Sequence, residues 1–354
     1  MKTVGDIHFE VRGDIAHVVL DHKQAMNALT SQMCLDLEVR FQKLEKDAAI
    51  KAAIIRGAGD KAFCSGGDLR RIYDAHVSGS NYPYEFFRNE YRLLVTLNRF
   101  SKPLIVFLDG VVMGGGAGLS FQGSHRVVTE TTEFAMPETG VGLFPDAGSA
   151  FFLPRCPGQV GTFLGLTGTH IGAADCLYSG LADTYIPASK LAVLSAALDQ
   201  ADLGENPFSA VNKIFQDFQE VPSPSFLRAH RTAIDRIFGL DSVEDIVDAL
   251  AGERAPWAKR TWRWLVKRAS PTSLKIALRQ LRWGEGQNFD DCIRLEWRIV
   301  NRILKGHDFF EGIRSVLIDG DHRPRWCPKK VSDVLLSDIE SYFSPLVDDE
   351  LVLD

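Results

Sequence analysis

The sequence predicts an α/β (α+β) protein, with a strand-containing core over residues 1–200 and a helical part packed on it over residues 201–354. Three observations predict this. Up to about residue 200, short runs rich in Ile, Val, Leu and Phe recur in a strand, strand, helix order with no single long sheet. Beyond residue 201 strand signals give way to helical periodicity over 226–238, 243–251, 257–268 and 292–304, punctuated by Pro222, Pro224, Pro256 and Pro271. Within the first region, the apolar run Leu104–Leu108 has the length of a buried strand, and a glycine-rich turn follows it.

In chain order, residues 7–11 and 15–20 read as a hairpin around Arg12-Gly13-Asp14, and 21–29 as an irregular loop. Thr30 or Ser31 can cap a helix in which Met33, Leu37, Phe41 and Leu44 recur at helical spacing. Residues 52–56 are a short buried strand. Pro83 opens a helix running to about Arg99, then come the Leu104–Leu108 strand and Gly114-Gly115-Gly116-Ala117-Gly118. Four glycines in five positions are not helix propensity, since each costs about 1 kcal/mol against alanine. They suit a backbone that approaches something closely or presents bare N–H groups. Residues 125–129 and 134–136 are further short strands, and the tail 347–354 is expected to fray.

Composition narrows the function. A net charge of -6 argues against nucleic-acid binding, and no run approaches a membrane span. The first residues, MKTVGDIHFEVRGD, lack the apolar core of a signal peptide and the character of a transit peptide, so cytoplasm is the expected compartment. The six cysteines form no CxxC pair and the nine histidines no HExxH, so buried free thiols are expected and a metal is not.

Two glycine-rich stretches and three acids carry the chemistry. Gly114–Gly118 fails the dinucleotide fingerprint, because its third glycine position falls on Leu119 or Phe121; close helix packing is the structural alternative. Ser65-Gly66-Gly67-Asp68 is a second place where amides can face a ligand, or simply a capped helix start. Neither Ser120 nor Ser149 sits in a G-x-S-x-G elbow, so any hydrolysis must rely on a carboxylate. Glu138 and Asp146 lie in Pro/Gly-rich stretches among apolar residues, at the edge of a core; Glu90 lies mid-helix, where a solvated face is the ordinary explanation.

Taken together, Cys64-Ser-Gly-Gly-Asp68-Leu, Met113-Gly-Gly-Gly116, Met136-Pro-Glu138 through Gly142-Leu-Phe-Pro, and GHDFFEGIRSVLID at 306–319 resemble the crotonase (enoyl-CoA hydratase/isomerase) superfamily over essentially the whole chain. The resemblance implies a spiral of ββα units with a helical C-terminal part, an acyl-CoA substrate, no separate cofactor, and a homo-oligomer such as a trimer or hexamer. It places two thioester-binding amides at Gly67 and Gly115. The superfamily's hydratases use two glutamates, one matching Glu138 and the other falling on Gly118, which can exchange no proton. Its hydrolase branch instead pairs the Glu138 position with Asp146 and contacts substrate through Glu90. The implied reaction is hydrolysis of a short 3-hydroxyacyl-CoA, with 3-hydroxyisobutyryl-CoA of valine breakdown leading. Lys23, Asn27, Gly66, Leu69 and Arg70 are the expected coenzyme A contacts. Ala147-Gly148-Ser149-Ala150 departs from the branch's usual valine and paired glycines, which bears on the acyl group. A hydratase or isomerase of the superfamily, and an inert acyl-CoA-binding protein, are the alternatives.

Overall fold

A computed structural model describes residues 5–353; the first four residues of the N-terminal reading lie outside it, as does the last residue of the tail. Its strands are β1 (Asp6–Arg12), β2 (Ile15–Asp21), β3 (Ala52–Gly57), β4 (Ala62–Cys64), β5 (Leu104–Leu108), β6 (Val111–Met113), β7 (His125–Val128), β8 (Glu133–Ala135) and β9 (Thr184–Tyr185). The earlier helices are α1 (Ser31–Lys46), α2 (Leu69–Val77), α3 (Tyr82–Asn98), α4 (Gly115–Phe121), α5 (Ser149–Phe152), α6 (Val160–Thr167), α7 (Ala173–Ser179) and α8 (Leu191–Gln200). Later in the chain come α9 (Pro207–Gln216), α10 (Phe226–Phe238), α11 (Val243–Gly252), α12 (Pro256–Lys267), α13 (Pro271–Gly284), α14 (Phe289–Ile303), α15 (Asp308–Ile313) and α16 (Leu336–Phe343). The α/β class and the all-helical region after residue 201 agree with the sequence.

The chain forms two compact units, each assembled from separate stretches: 1–68, 92–134 and 170–228 in the first, 69–91, 135–169 and 229–354 in the second. The first unit contains a six-stranded sheet in the order β1-β2-β3-β5-β7-β9, where the sequence suggested no long sheet. Only the β1–β2 hairpin is antiparallel; the other four pairings are parallel. Parallel strands are buried on both faces and read as continuous apolar runs, which is why Leu104–Leu108 is buried throughout. Part of the core lies where Ile54, Ile105 and Val127 meet Leu194 and Leu198 of α8. A small second sheet follows the order β4-β6-β8. Thr30 caps α1 by accepting from the Met33 amide, and Met33, Leu37, Phe41 and Leu44 form its buried face, as their spacing predicts.

The second unit is helical. Ser270 and Asn288 accept from the amides of Ser273 and Asp291 and so start α13 and α14. The tail is not frayed. Trp297 Nε1 on α14 donates to the carbonyl of Asp349 at 2.5 Å, Arg298 pairs with Glu350 at 2.8 Å, and Leu351 is buried. The expectation of fraying rested on composition alone, and long-range contacts override it. Among the described residues no helix is long and apolar enough to cross a membrane.

Candidate active site

In the first unit the two glycine motifs come together. Leu29 bridges to Gly67 as in a parallel sheet: its N–H donates to the Gly66 carbonyl at 2.8 Å and its carbonyl accepts from the Asp68 amide at 2.9 Å. That pattern leaves the Gly67 N–H on the opposite side. Gly66 adopts φ +97°, and a Cβ there would sit 3.1 Å from the Met113 carbonyl oxygen and 3.3 Å from the Gly115 nitrogen. Only glycine fits such a place at no cost. Gly115 is the first residue of α4, so its N–H precedes the first intrahelical bond. Among the described residues, neither the Gly67 nor the Gly115 N–H has a backbone partner. Gly116, by contrast, answers to packing: a Cβ there would meet the Cys64 carbonyl oxygen at 2.2 Å. The close-packing reading of the glycine run thus applies to Gly116, next to a Gly115 whose N–H has no backbone partner among the described residues.

In the second unit the predicted acids gather. Glu90, Glu138 and Asp146 are 2, 5 and 3% exposed, which corrects the solvated-face explanation of Glu90. Phe86, Phe87, Glu90 and Tyr91 share the inner face of α3, at the i and i+4 spacing that stacks side chains. Glu138 follows Pro137 at the start of a 3₁₀ turn whose Thr139 hydroxyl donates to the Leu166 carbonyl at 3.1 Å. The Thr139 carbonyl accepts from the Ser270 amide at 2.8 Å, so α6 and α13 fix this turn from both sides. Tyr91 Oη donates to Asp146 Oδ2 at 2.9 Å, while Glu90 Oε1 and Glu138 Oε2 have no partner among the described residues.

Burial without counter-charge disfavours the ionised forms. It pushes the Asp146 carboxyl up to about 7, against the opposing hydrogen bonds from Tyr91 and the Asp146 amide. Glu138 is raised well above the ordinary glutamate value, first by burial and then by the Asp146 charge. Glu90 is raised by burial and by Asp146, Glu296 and Glu138. An ionised carboxylate left unpaired in an apolar interior would cost many kcal/mol, so such groups share protons instead. A cluster of this kind contributes little to stability and is suited to proton transfer.

Two members of the cluster escape a sequence reading. Tyr91 is masked by its aromatic neighbours. Glu296 lies on the buried face of α14 with Cys292, Ile293, Ile299 and Val300, and accepts from the amides of Gly148 at 2.7 Å and Ala150 at 2.9 Å. An acid on the apolar stripe of an amphipathic helix is the signal that could have found it.

The expected coenzyme A contacts are placed less uniformly. Lys23 is exposed and 3.8 Å from Asp21, and Leu69 opens α2. Arg70 donates to the Leu317 carbonyl. Asn27 differs from expectation: it is buried, donates to the carbonyls of Ala58 at 3.0 Å and Ala62 at 2.8 Å, and accepts from the His22 amide at 3.1 Å. Its side chain braces the loop because every one of its polar groups already has a backbone partner.

Comparison with known proteins agrees with this arrangement of motifs. Residues 15–343 match the family described as Enoyl-CoA hydratase/isomerase. The chain is 38% identical over 357 residues to a Danio rerio protein named 3-hydroxyisobutyryl-CoA hydrolase, mitochondrial, covering 99% of this chain and 93% of the relative. It is 36% identical over 349 residues to the Homo sapiens protein of the same name, covering 98% and 90%. Among solved structures, a carnitinyl-CoA dehydratase from Mycobacterium thermoresistibile superposes with a TM-score of 0.91 at 34% identity, covering 99% of both chains. An enoyl-CoA hydratase from Rhodobacter sphaeroides superposes with a TM-score of 0.90 at 30% identity, covering 98% of this chain and 100% of that one. With its fold, its two glycine motifs and its full-length relatives in agreement, the chain belongs to the enoyl-CoA hydratase/isomerase family.

Proposed function

We propose that the protein hydrolyses the thioester of a short 3-hydroxyacyl-CoA, and that 3-hydroxyisobutyryl-CoA is its substrate. The observation that carries this reading is the pairing of buried Glu138 and Asp146 in a chain that has Gly118 where the family's hydratases carry their second glutamate. Two proton-transfer groups suit water addition to a carbonyl followed by thiolate departure; a glycine at 118 removes one of the two glutamates that hydration requires. The relatives at 36–38% identity bear the matching hydrolase name.

In this reading the ionised Glu138 delivers oxygen to the thioester carbon. It either takes a proton from an attacking water or attacks directly to form a mixed anhydride that water then opens. The charge that develops on the thioester oxygen is met by the amides of Gly67 and Gly115, each such donor being worth roughly 10²–10³ in rate. Collapse breaks the carbon–sulfur bond, and Asp146, whose carboxyl burial pushes up to about 7, protonates the departing thiolate. Glu90 faces the acyl group. Lys23 supplies a cation for the phosphates of coenzyme A, and Gly66, Leu69 and Arg70 line its path. Single turnover in ¹⁸O-water identifies direct attack followed by opening of the anhydride at the Glu138 carbonyl, since that route puts unlabelled carboxylate oxygen into the first product.

Hydration is the second reading, because both solved relatives named above carry hydratase or dehydratase names at 30–34% identity. One experiment decides: thiol release over a panel of acyl-CoAs, with crotonyl-CoA hydration followed in parallel. Rapid thiol release from 3-hydroxyisobutyryl-CoA with slow hydration is expected. Efficient hydration without thiol release would overturn the hydrolase reading.

A further inference from the structure

The turn that carries Asp146 is an uncomfortable one. Ala147 adopts φ +55° and Gly148 φ +87°, and a non-glycine residue in this region is strained by roughly 1–2 kcal/mol. Such strain persists only where surrounding structure over-determines it. Pro145, Ala147, Ser149 and Ala150 are buried or nearly so, but apolar packing is non-directional and cannot by itself orient a carboxylate.

The directional restraint comes from α14. Glu296 is fully buried, and its two oxygens accept separately from the amides of Gly148 and Ala150. Gln280 on α13 ties the same turn from a second side, donating to the Pro145 carbonyl at 2.7 Å and lying 3.4 Å from Glu296 Oε1. Among the described residues, every polar contact of Glu296 is therefore with this turn or with Gln280, which also holds it. Burying a carboxyl group beside three other acids is costly, and burial, then the Asp146 charge, raises Glu296 well above the ordinary glutamate value. A neutral side chain would fill that space more cheaply, unless holding the turn is what the carboxylate is for.

We propose that Glu296 is the positioning residue of the active site: by clamping the amides of Gly148 and Ala150, it fixes the direction in which Asp146 presents its carboxyl. This rests on the hydrolase reading given above for its catalytic consequence, though the clamp itself does not. Glu296 touches no reacting atom in this scheme; it acts through Asp146. It also shares the interior with Glu90 and Tyr91 from α3, Glu138 and Asp146 from the segment after β8, and Cys292 one turn earlier on α14. Asp146 and Glu296 raise one another's neighbours in turn, so removing the Glu296 charge should lower the pKa of Glu90 and Tyr91 as well as that of Glu138.

The test is Glu296→Gln, which keeps shape but turns one acceptor into a carboxamide NH₂ donor facing a backbone N–H donor. A roughly 10- to 100-fold fall in kcat for thiol release is expected, with KM within about two-fold, as for a misplaced catalytic group. The ascending limb of kcat against pH should move to lower pH, and exchange protection of the Gly148 and Ala150 amides should fall. Glu296→Asp, which keeps the charge with a shorter reach, should lie between wild type and Glu296→Gln, and is read in the same way where the Gln variant does not fold. Wild-type kcat in a folded Gln variant, or unchanged amide protection, overturns the proposal. A wild-type protein that releases no thiol overturns the hydrolase reading instead, and the exchange measurement then still decides whether the clamp exists.

Discussion

The hydroxyl of Tyr91 donates to Oδ2 of Asp146 across 2.9 Å, with both side chains closed off from solvent. This bond favours the ionised carboxylate, and it is the largest influence opposing the upward push of burial on Asp146. Removing the hydroxyl should therefore let Asp146 hold its proton to higher pH. For Tyr91→Phe, the descending limb of kcat against pH should move upward, and stability should fall by about 1–3 kcal/mol for the orphaned buried acceptor. A limb that stays in place or moves down would disconnect Asp146 from proton donation.

Glu138 and Asp146 should behave as one unit. Glu138→Gln is expected to abolish most turnover while leaving acyl-CoA binding intact, because the amide keeps the shape and cannot take a proton. Asp146→Asn should also cost strongly. The double variant should be little worse than the worse single one. Losses that multiply would mean that the two carboxylates act independently, and an active Glu138→Gln would remove Glu138 from the reaction.

The pH dependence has a definite sign. Glu138 must be ionised to act, and burial raises it well above the ordinary glutamate value of 4.5. Activity should rise with pH through a limb displaced toward neutrality; a limb near 4 would point to an ordinary exposed carboxylate. Stability runs the other way. A folded-state pKa above the unfolded one gives stability that is present at low pH and is lost as pH rises through the folded value. Glu138→Gln should therefore raise Tm at pH 8 and change it much less at pH 4.5, as thermal melts at the two pH values would show.

Neighbouring glycines should fail for different reasons. Gly115→Pro removes one amide donor at the first position of α4, where proline is tolerated, so a folded protein with turnover reduced by at least ~10² is expected. Gly116→Ala places a Cβ against the Cys64 carbonyl oxygen and should instead destabilise by about 1–3 kcal/mol, as overpacking does. Near-normal turnover in folded Gly115→Pro would rule out that amide as a donor.

How much of this was legible beforehand depends on how local the cause is. The Leu104–Leu108 strand was readable residue for residue, since a strand buried on both faces is apolar throughout. Of the later helices, α10, α11 and α12 were readable within a residue at each end, α14 was begun three residues late, and α9, α13, α15 and α16 were not delimited. Strands β4 and β6, three residues each, were missed because neither is long enough to show a period. Glu138 and Asp146 stood out as acids among Pro, Gly and apolar neighbours. Glu90 did not, because a helix carries acids on its outer face as a matter of course. Glu296 shows as an acid on an apolar stripe, but what it holds was not legible, since its partners are 146 and 148 positions away.

That separation bears on how the chain folds. In the unfolded chain the Asp146 turn is open to water and its acids titrate as ordinary carboxylates, ionised at neutral pH. Folding buries them and raises their affinity for protons, so forming the site takes protons from solution. Refolding at pH 7 should then show a calorimetric enthalpy that changes with the ionisation heat of the buffer, and Glu138→Gln should weaken that dependence. The protein's reactivity is thus loaded during folding, as protons drawn from the solvent and held where water no longer reaches them.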